Sequence, residues 1–410
     1  MTAEFDVAIV GSGPAGLTAA VELARTGLSV AVLDEFFRPG GRLLGQLYEN
    51  PTAPLAERRW DGQEMSRQLT EQARDLHVRI LSGVTVWSIS EAWRLELSGV
   101  PEKSLHARTL LLATGAAERA LPLPGWTLPG VITVGAAQTF TNLHRVAIGR
   151  RVMVVGIDPL ALSVALEMHH AGIDVIGVAL PPRSPTSGDL SSPAHAVARL
   201  AQAADIAPNR LLRTMARLAS GGLQSVAVHA LRFDLLRVGG VSVAFRKAVT
   251  SIEGNGRVES VTLQSVAPDG KPVGSARSVA VDAVCLSAGL YPLTDLAEVA
   301  GCPLVDVPEL GGLVPLHGPG LQTPADGLFV AGNITGIEGA KVAIAQGRLA
   351  AVSIARGLGR PTPMTPEDAA HEVERARATS PFRFLPKVDA GRKAMSRLWQ
   401  QAQAAKGGLL

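Results

Sequence analysis

The stretch from Phe5 to Asp34, FDVAIVGSGPAGLTAAVELARTGLSVAVLD, leaves few folds open to this chain. Phe5 to Val10 is a short apolar run with β-branched residues, the pattern of a buried strand. Gly11-Ser12-Gly13-Pro14-Ala15-Gly16 follows, then an Ala- and Leu-rich helical pattern to about Arg25, with Gly27 as its stop signal. A second strand, Leu28 to Leu33, ends on Asp34. Strand, GxGxxG, helix, strand and acid in this order make a βαβ dinucleotide fingerprint. Gly11 permits the tight turn off the strand, Gly13 lets backbone approach a pyrophosphate, and Gly16 lets the helix pack close on the sheet. The helix N-terminus offers free N–H groups and its positive dipole end to the phosphates. Asp34 can accept hydrogen bonds from adenosine ribose hydroxyls. The alternative is a glycine-rich turn followed by an accidental acid, and the ordered elements around the motif argue against it.

The pattern returns at Arg151 as RVMVVGIDPLALSVALEMHHAGIDVIGVAL, an internal repeat with strand, Gly156, helix, Gly172 and strand. Its fingerprint is damaged. Asp158 stands where Gly13 stands in the first unit, Ala161 replaces Gly16, and Ala179 falls at the position of Asp34. A carboxylate at the close-approach position would repel a pyrophosphate, so NAD(P) is not expected here. The competing reading has Asp158 pointing away and a ligand bound in a shifted pose.

Other punctuation supports a bound nucleotide in the first unit. Pro39-Gly40-Gly41-Arg42 should bring backbone beside the first helix, and Gln46 could donate to a ring carbonyl or a ribityl hydroxyl. A buried strand, Leu105 to Leu112, ends in Ala113-Thr114-Gly115, where Gly115 allows close approach. Near the end, Ala331-Gly332-Asn333 leads through a glycine-rich turn to Gly339-Ala340 and a helix to about Arg356. That is a second anion-facing helix N-terminus, able to stabilise a reduced flavin. Between these blocks, residues 51–61 read as an exposed connection. Helices are expected over Gly62–Arg74, Ala136–Val146, Ala194–Ala203 and Pro208–Ala219. Leu121 to Val131, rich in Pro and Gly, reads as a stiff domain crossover.

Composition narrows the classes. Hydrophobic residues make up 47% and aromatics only 4%, so the core is aliphatic and Ala-rich. No apolar run reaches membrane-spanning length, and no basic segment or cleavage site precedes the first strand, so a cytoplasmic protein is expected. The net charge of +3 comes from scattered Lys and Arg, which gives no case for nucleic acid. Two cysteines, Cys285 and Cys302, exclude a disulfide framework, a CxxC pair and a four-Cys cluster. No acid/base pair, metal-ligand spacing or serine nucleophile stands out, and Glu338 reads as a solvated loop carboxylate.

These blocks together resemble the two-dinucleotide-domain flavoprotein superfamily over roughly the first 355 residues. The middle block, LLATGAAERALPLPGWTLPGVITVGAAQTF, is similar to the alpha or large subunit of bacterial heteromeric opine, proline and D-hydroxyproline dehydrogenases and to the B subunit of hydrogen cyanide synthase. The resemblance implies an α/β, glutathione-reductase-like fold with two Rossmann-like domains, the second inserted in the first, and a C-terminal helical tail. The FAD-binding domain would comprise residues 1–120 and 286–360. The degenerate NAD(P)-like domain would cover 121–285, and 361–410 would be a tail suited to subunit docking. FAD is implied, with Gly11, Ser12, Gly13, Pro14, Ala15 and Gly16 at its pyrophosphate and Asp34 and Glu35 at the adenosine ribose. Gly41, Arg42 and Gln46 would lie toward the ribityl and flavin, and Val84 would offer backbone to the adenine. Ala113, Thr114 and Gly115 would run along the dinucleotide, with Gly332, Asn333, Gly339 and Ala340 at the flavin end.

In such complexes amine oxidation is assigned to a flavin-bearing beta subunit, and the subunit resembled here passes electrons on. Three departures stand out. Asn333 replaces the usual Asp. Asp158 leaves NAD(P) disfavoured at the second site and another nucleotide such as ATP open. Many relatives carry a four-Cys iron–sulfur domain, and no Fe–S cluster is expected in this chain, so a small iron–sulfur subunit would carry one. Two other functions stay open: a stand-alone NAD(P)H-dependent flavin reductase, and a non-catalytic nucleotide-binding scaffold.

Overall fold

In the computed structural model the opening fingerprint folds as β1 (Ala3–Val10), α1 (Pro14–Arg25) and β2 (Val30–Asp34). Val7 to Ile9 and Ala31 to Leu33 are completely buried. Continuous apolar runs of this kind belong to parallel strands covered on both faces. The structure describes residues 3–49, 58–201, 236–380 and 384–407. It divides into two units: Met1–Leu44, Gly62–Ala117 and Leu290–Leu410 form one, and Gly45–Asp61 with Glu118–Gly289 form the other.

The first unit continues through α2 (Gly62–Asp75), β3 (Arg79–Ser82), β4 (Thr85–Ser90), β5 (Arg94–Ser98) and β6 (Ser104–Leu112). After the second unit the chain returns as β7 (Leu328–Val330), α3 (Ala340–Gly357), α4 (Pro366–Ala378) and α5 (Val388–Gly407). The sheet order is β3-β2-β1-β6-β5-β4, with β7 also paired to β6. β1, β2, β3, β6 and β7 run parallel, while β4 and β5 are antiparallel additions. Val10 stands opposite both Leu33 and Leu112, and Leu112 opposite Val330. Four parallel strands therefore end level, and the loops leaving them crowd into one crevice.

Small side chains let the covering helices come close. Ala15, Ala19 and Ala20 of α1 and Ala343, Ala350 and Ala351 of α3 share one core cluster. Gly347 sits at the crossing, where a Cβ would lie 2.4 Å from the Ala15 carbonyl oxygen. This is where the Ala-rich, aromatic-poor composition is used. α4 is capped by Thr365, whose Oγ1 accepts from the Asp368 N–H at 3.1 Å, and it buries Ala369 and Val373 in the same core. α5 sets Val388 and Met395 on the hairpin formed by Leu304–Val307 and Gly312–Pro315.

In the second unit the repeat forms the strand Arg151–Val155, the helix Pro159–His170 and the strand Asp174–Leu180. Its sheet runs, by residue range, 131–133, 283–286, 151–155, 174–180, 241–253, 260–266 and 272–280, parallel to the fifth strand and antiparallel beyond. Two local expectations change. Arg59–Asp61, read as an exposed connection, is a strand paired with Leu47–Glu49. The helix expected over Ala136–Val146 is an α-helix at Val134–Gln138 that widens into a π turn over Thr139–His144. That wider turn accompanies Gln138 and Asn142, which both donate to Glu167. The helix near Ala194 runs over Pro193–Ala201, and the one expected at Pro208–Ala219 lies outside the described residues. Among the described residues no helix is long and apolar enough to cross a membrane.

Gly347→Ala would force a methyl group onto the Ala15 carbonyl, and a loss of about 1–3 kcal/mol in unfolding free energy is expected by chemical denaturation. Gly357→Ala, at the open end of the same helix with nothing within 4 Å of its added Cβ, should instead be neutral or stabilising by up to about 1 kcal/mol.

Candidate functional site

The level strand ends of the first unit bring the expected residues into one crevice. Gly11 has φ +105°, and a Cβ there would lie 2.3 Å from the Ala113 carbonyl oxygen. Only glycine lets the turn after β1 pass under the end of β6. A Cβ on Gly16 would meet the Gly11 carbonyl at 1.9 Å. Gly13 differs: a Cβ there would meet nothing within 4 Å. The space above Gly13 is open to a ligand, and Pro14 starts the helix directly behind it. No side chain caps α1, and its first turn carries no acid. The N–H groups of the first turn are left for an anion, with the dipole adding about half a positive charge.

Asp34 ties this loop to its surroundings. Its Oδ2 accepts from the Ser12 N–H and hydroxyl, both at 2.6 Å, and its Oδ1 accepts from the Phe36 N–H at 2.8 Å. The carboxylate keeps lone pairs for a ribose hydroxyl. Ser12 is wholly buried and acts as a crosslink, since its carbonyl also accepts from the Gly40 N–H at 2.9 Å. That bond lays the Pro39–Gly41 turn over the loop, and a Cβ on Gly41 would reach within 3.0 Å of the Gly13 Cα. Glu35 is exposed beside Asp34. Val84 is buried, and its N–H donates to the Asp34 carbonyl at 2.9 Å, which leaves only its carbonyl to a ligand.

On the other side of the crevice, Arg42 donates through Nε and Nη2 to the Ala116 carbonyl at 3.2 and 3.1 Å. Thr114 Oγ1 donates to the Leu293 carbonyl at 2.7 Å, and the Leu293 N–H to the Gly115 carbonyl at 3.1 Å. Gln46 belongs to the second unit, where its Oε1 accepts the Trp60 indole N–H at 3.1 Å.

At the far end, Gly332 (φ +81°) donates its N–H to Gln346 Oε1 at 2.7 Å. Gln346 is a buried residue of α3 that the motif reading missed. Asn333 Oδ1 accepts from the Glu338 N–H at 3.1 Å. A backbone donor there requires an acceptor, so the oxygen is fixed and the amide Nδ2 turns to the other side as a donor. Gly339 is the N-cap of α3, with Ala340 as first helical residue; no side chain caps this helix and its first turn has no acid. The crevice of the first unit thus holds two uncapped helix N-termini, an acid beside one of them, and open space over Gly13.

Glu338 does not fit its expected reading as a solvated carboxylate. It is buried, with Arg377 Nε at 2.5 Å from Oε1, while Arg392 donates to Oε2 through Nε at 3.2 Å and through Nη2. Burial alone would raise its pKa, but Arg392 and Arg377 outweigh burial and hold the carboxyl below the usual range. His317 lies beside Arg392, and burial followed by that guanidinium pushes it down to about 4, so it is neutral. Arg377 and Arg392 lie 39 and 54 residues from Glu338, where no local pattern signals the pairing.

The second unit repeats the backbone of the first down to single hydrogen bonds. Gly156 (φ +115°) donates to the Ala179 carbonyl at 2.8 Å, as Gly11 does to Leu33 at 2.8 Å. A Cβ on Gly156 would lie 2.1 Å from the Ser287 carbonyl. The helix N-terminus is different. Asp158 is the N-cap, its Oδ1 accepts from the Ala161 N–H at 3.0 Å, and its Oδ2 accepts from Ser287 Oγ at 2.6 Å. It is only 3% exposed. The carboxylate supplies the negative charge that a phosphate would bring. Glu167, on the same helix, accepts from Gln138, Asn142 and Ser163, and burial pushes it up to about 7 against those bonds.

Comparison with known proteins agrees with this geometry. A model of the pyridine nucleotide-disulphide oxidoreductase family matches residues 5–347. The chain belongs to that family. It is therefore an oxidoreductase of an FAD-dependent family. The chain is 32% identical over 366 residues to the A subunit of the opine oxidase of Agrobacterium tumefaciens, a match covering 85% of this chain and 65% of that protein. It is 29% identical to the HcnB subunit of the hydrogen cyanide synthase of Pseudomonas aeruginosa, over 84% of this chain and 70% of that one. The chain thus spans about two thirds of these relatives. L-proline dehydrogenase from P. horikoshii shares the fold with a TM-score of 0.64 at 20% identity, over 91% of this chain and 59% of that chain.

Asp158→Ala removes a helix cap and leaves Ser287 without its buried acceptor. The expected loss is about 1–3 kcal/mol in chemical denaturation, with Asp158→Asn recovering part of it.

Proposed function

We propose that this chain is the FAD-binding subunit of a heteromeric amine or amino-acid dehydrogenase of the opine, proline or hydroxyproline type. Electrons would pass from a flavin-bearing partner subunit, where the amine is oxidised, through the FAD of this chain to an acceptor. The observation that carries this reading is the contrast between the two repeats. The first leaves its helix N-terminus open over Gly13, whereas the second fills the equivalent place with its own Asp158. A flavin site without a working nicotinamide site suits an enzyme whose flavin is reduced by a protein partner. The names of the relatives, which are subunits of an opine oxidase and a cyanide synthase, support the same class.

Under this reading, the residues have distinct tasks. FAD, when bound, supplies reversible acceptance of two electrons. The free N–H groups behind Gly13, Ala15 and Gly16 hold its pyrophosphate, and Asp34 accepts from the adenosine ribose. Glu35 and Val84 flank the adenosine end, while Gly41 and Arg42 cover the ribityl side. Ala113, Thr114 and Gly115 line the length of the dinucleotide. At the flavin end Gly332, Asn333, Gly339 and Ala340 present a donor amide and a positive helix end, which favours the negative charge of a reduced flavin. Glu338 keeps its own charge on Arg377 and Arg392 instead of directing it toward that helix end.

A visible absorption spectrum of the purified chain, repeated anaerobically with excess NADH and NADPH, tests the reading. A flavin spectrum bleached by neither nicotinamide is expected. Rapid bleaching would make the chain an NAD(P)H-dependent flavin reductase, and a folded chain that takes up no flavin would make it a scaffold. Gly13→Val separates binding from folding. The added Cβ meets nothing within 4 Å, so the apoprotein should lose no more than the ~1 kcal/mol of a poorer helix N-cap, while FAD affinity measured by reconstitution falls at least tenfold.

A further inference from the structure

The segment from Gly332 to Gly339 is poorly suited to hold a shape by itself. It carries two glycines with positive φ, Gly332 at +81° and Gly336 at +139°, and one short 3-10 turn over Gly332–Thr335. Glycines have more backbone freedom to lose on ordering than other residues. Bonds from elsewhere must offset that loss: Gln346 of α3 and Arg377 of α4 supply some, and Arg392 of α5 supplies four. Arg392 Nη1 donates to the Thr335 carbonyl at 2.8 Å, and Nη2 to Thr335 Oγ1 at 3.1 Å. The same guanidinium donates to Glu338 Oε2 through Nε at 3.2 Å and through Nη2. Thr335 Oγ1 in turn lies 2.9 Å from the Gly332 carbonyl and 3.2 Å from Gln346 Oε1, which holds the Gly332 N–H. One planar cation therefore grips the loop at its middle and near its far end, and Thr335 relays the grip to Gly332.

We propose that Arg392 is a positioning residue for the flavin end of the cofactor crevice, and that its guanidinium sets Gly332–Gly339 for FAD. The inference rests on the FAD reading given under Proposed function. Glu338 is shared by two guanidiniums, because Arg377 Nε holds its other oxygen at 2.5 Å. Removing Arg392 thus leaves the buried carboxylate paired while it frees Thr335. Nδ1 of His317 lies 2.7 Å from the Pro315 carbonyl, to which it donates, so its Nε2 presents a lone pair to Arg392 Nη1 at 3.5 Å. The neutral imidazole steers the guanidinium without adding charge. α5 has its own apolar anchor, with Val388 and Met395 packed among Val307, Leu310 and Val314, so the helix stays docked when the guanidinium is lost. A lysine could reach Thr335 or Glu338, but its single ammonium cannot reproduce the planar fork.

The test compares Arg392→Gln, Arg392→Lys and Met395→Ala in the full chain. FAD dissociation constants come from reconstitution of apoprotein, the visible flavin band from the holoprotein, and thermal midpoints from the apoprotein. Met395→Ala loosens α5 without touching the bonds of Arg392 and reports what simple destabilisation does. A rise of at least tenfold in the dissociation constant with a shifted flavin band is expected for Arg392→Gln. A smaller rise is expected for Arg392→Lys, and less than a twofold rise for Met395→Ala at a similar loss in midpoint. Arg392→Gln within twofold of wild type, or Met395→Ala as impaired as Arg392→Gln, overturns the proposal. If Arg392→Gln does not fold, Arg392→Lys decides, and an unchanged constant overturns it. A wild-type chain that binds no FAD overturns the cofactor reading itself, which separates that failure from this one.

Discussion

The close passage of the Gly11 turn beneath the end of β6 is the constraint on which the first unit depends. A side chain at Gly11 would overlap the Ala113 carbonyl at 2.3 Å, so glycine there is what lets the parallel strands end level. Level ends place the turn after β1, the acid after β2, the ATG after β6 and the AGN after β7 in one crevice. Ligands of open α/β sheets bind outside the carboxyl ends of the strands, where the helix N-termini also point.

The second unit meets the same requirement with Gly156 beneath the Ser287 carbonyl, yet its helix end has a different fate. A helix N-terminus carries unsatisfied donors and partial positive charge, and something must answer them. At α1 no side chain does, which leaves the demand to a ligand. At Pro159–His170 the carboxylate of Asp158 does, backed by the Ser287 hydroxyl. Two units with matching backbones therefore divide into one whose helix end is left uncapped and one that carries its own carboxylate. The two helix ends differ at one N-cap residue, glycine in the first unit and aspartate in the second.

The C-terminal helices belong to the same logic. Glycine loops permit close approach to a cofactor but have little order of their own, so order has to be imported. Arg377 and Arg392 import it through Glu338, and Gln346 through Gly332. A buried carboxylate between two guanidiniums is costly to assemble and keeps its value only if the geometry is tight. That cost suits the cluster to fixing one loop conformation better than to supplying net stability.

The sequence by itself determined the elements, the repeat and the fold class. Strand and helix periods, glycines at fixed offsets and an acid after the second strand are local signals, and β1, α1, β2 and the unit beginning at Arg151 follow them. It also showed that Asp158 damages the second fingerprint, although not which way the carboxylate turns. Only the tertiary structure decided that the carboxylate caps its own helix, because its second partner, Ser287, lies 129 residues away. Only the tertiary structure buried Glu338, whose solvated reading was reasonable for a residue in a glycine-rich loop. The widening of the helix after Gln138 was equally hidden, since it accompanies a carboxylate on another helix. Periodicity is written along the chain, but the pairing of charges is settled by which segments the fold brings together, and no local pattern records that.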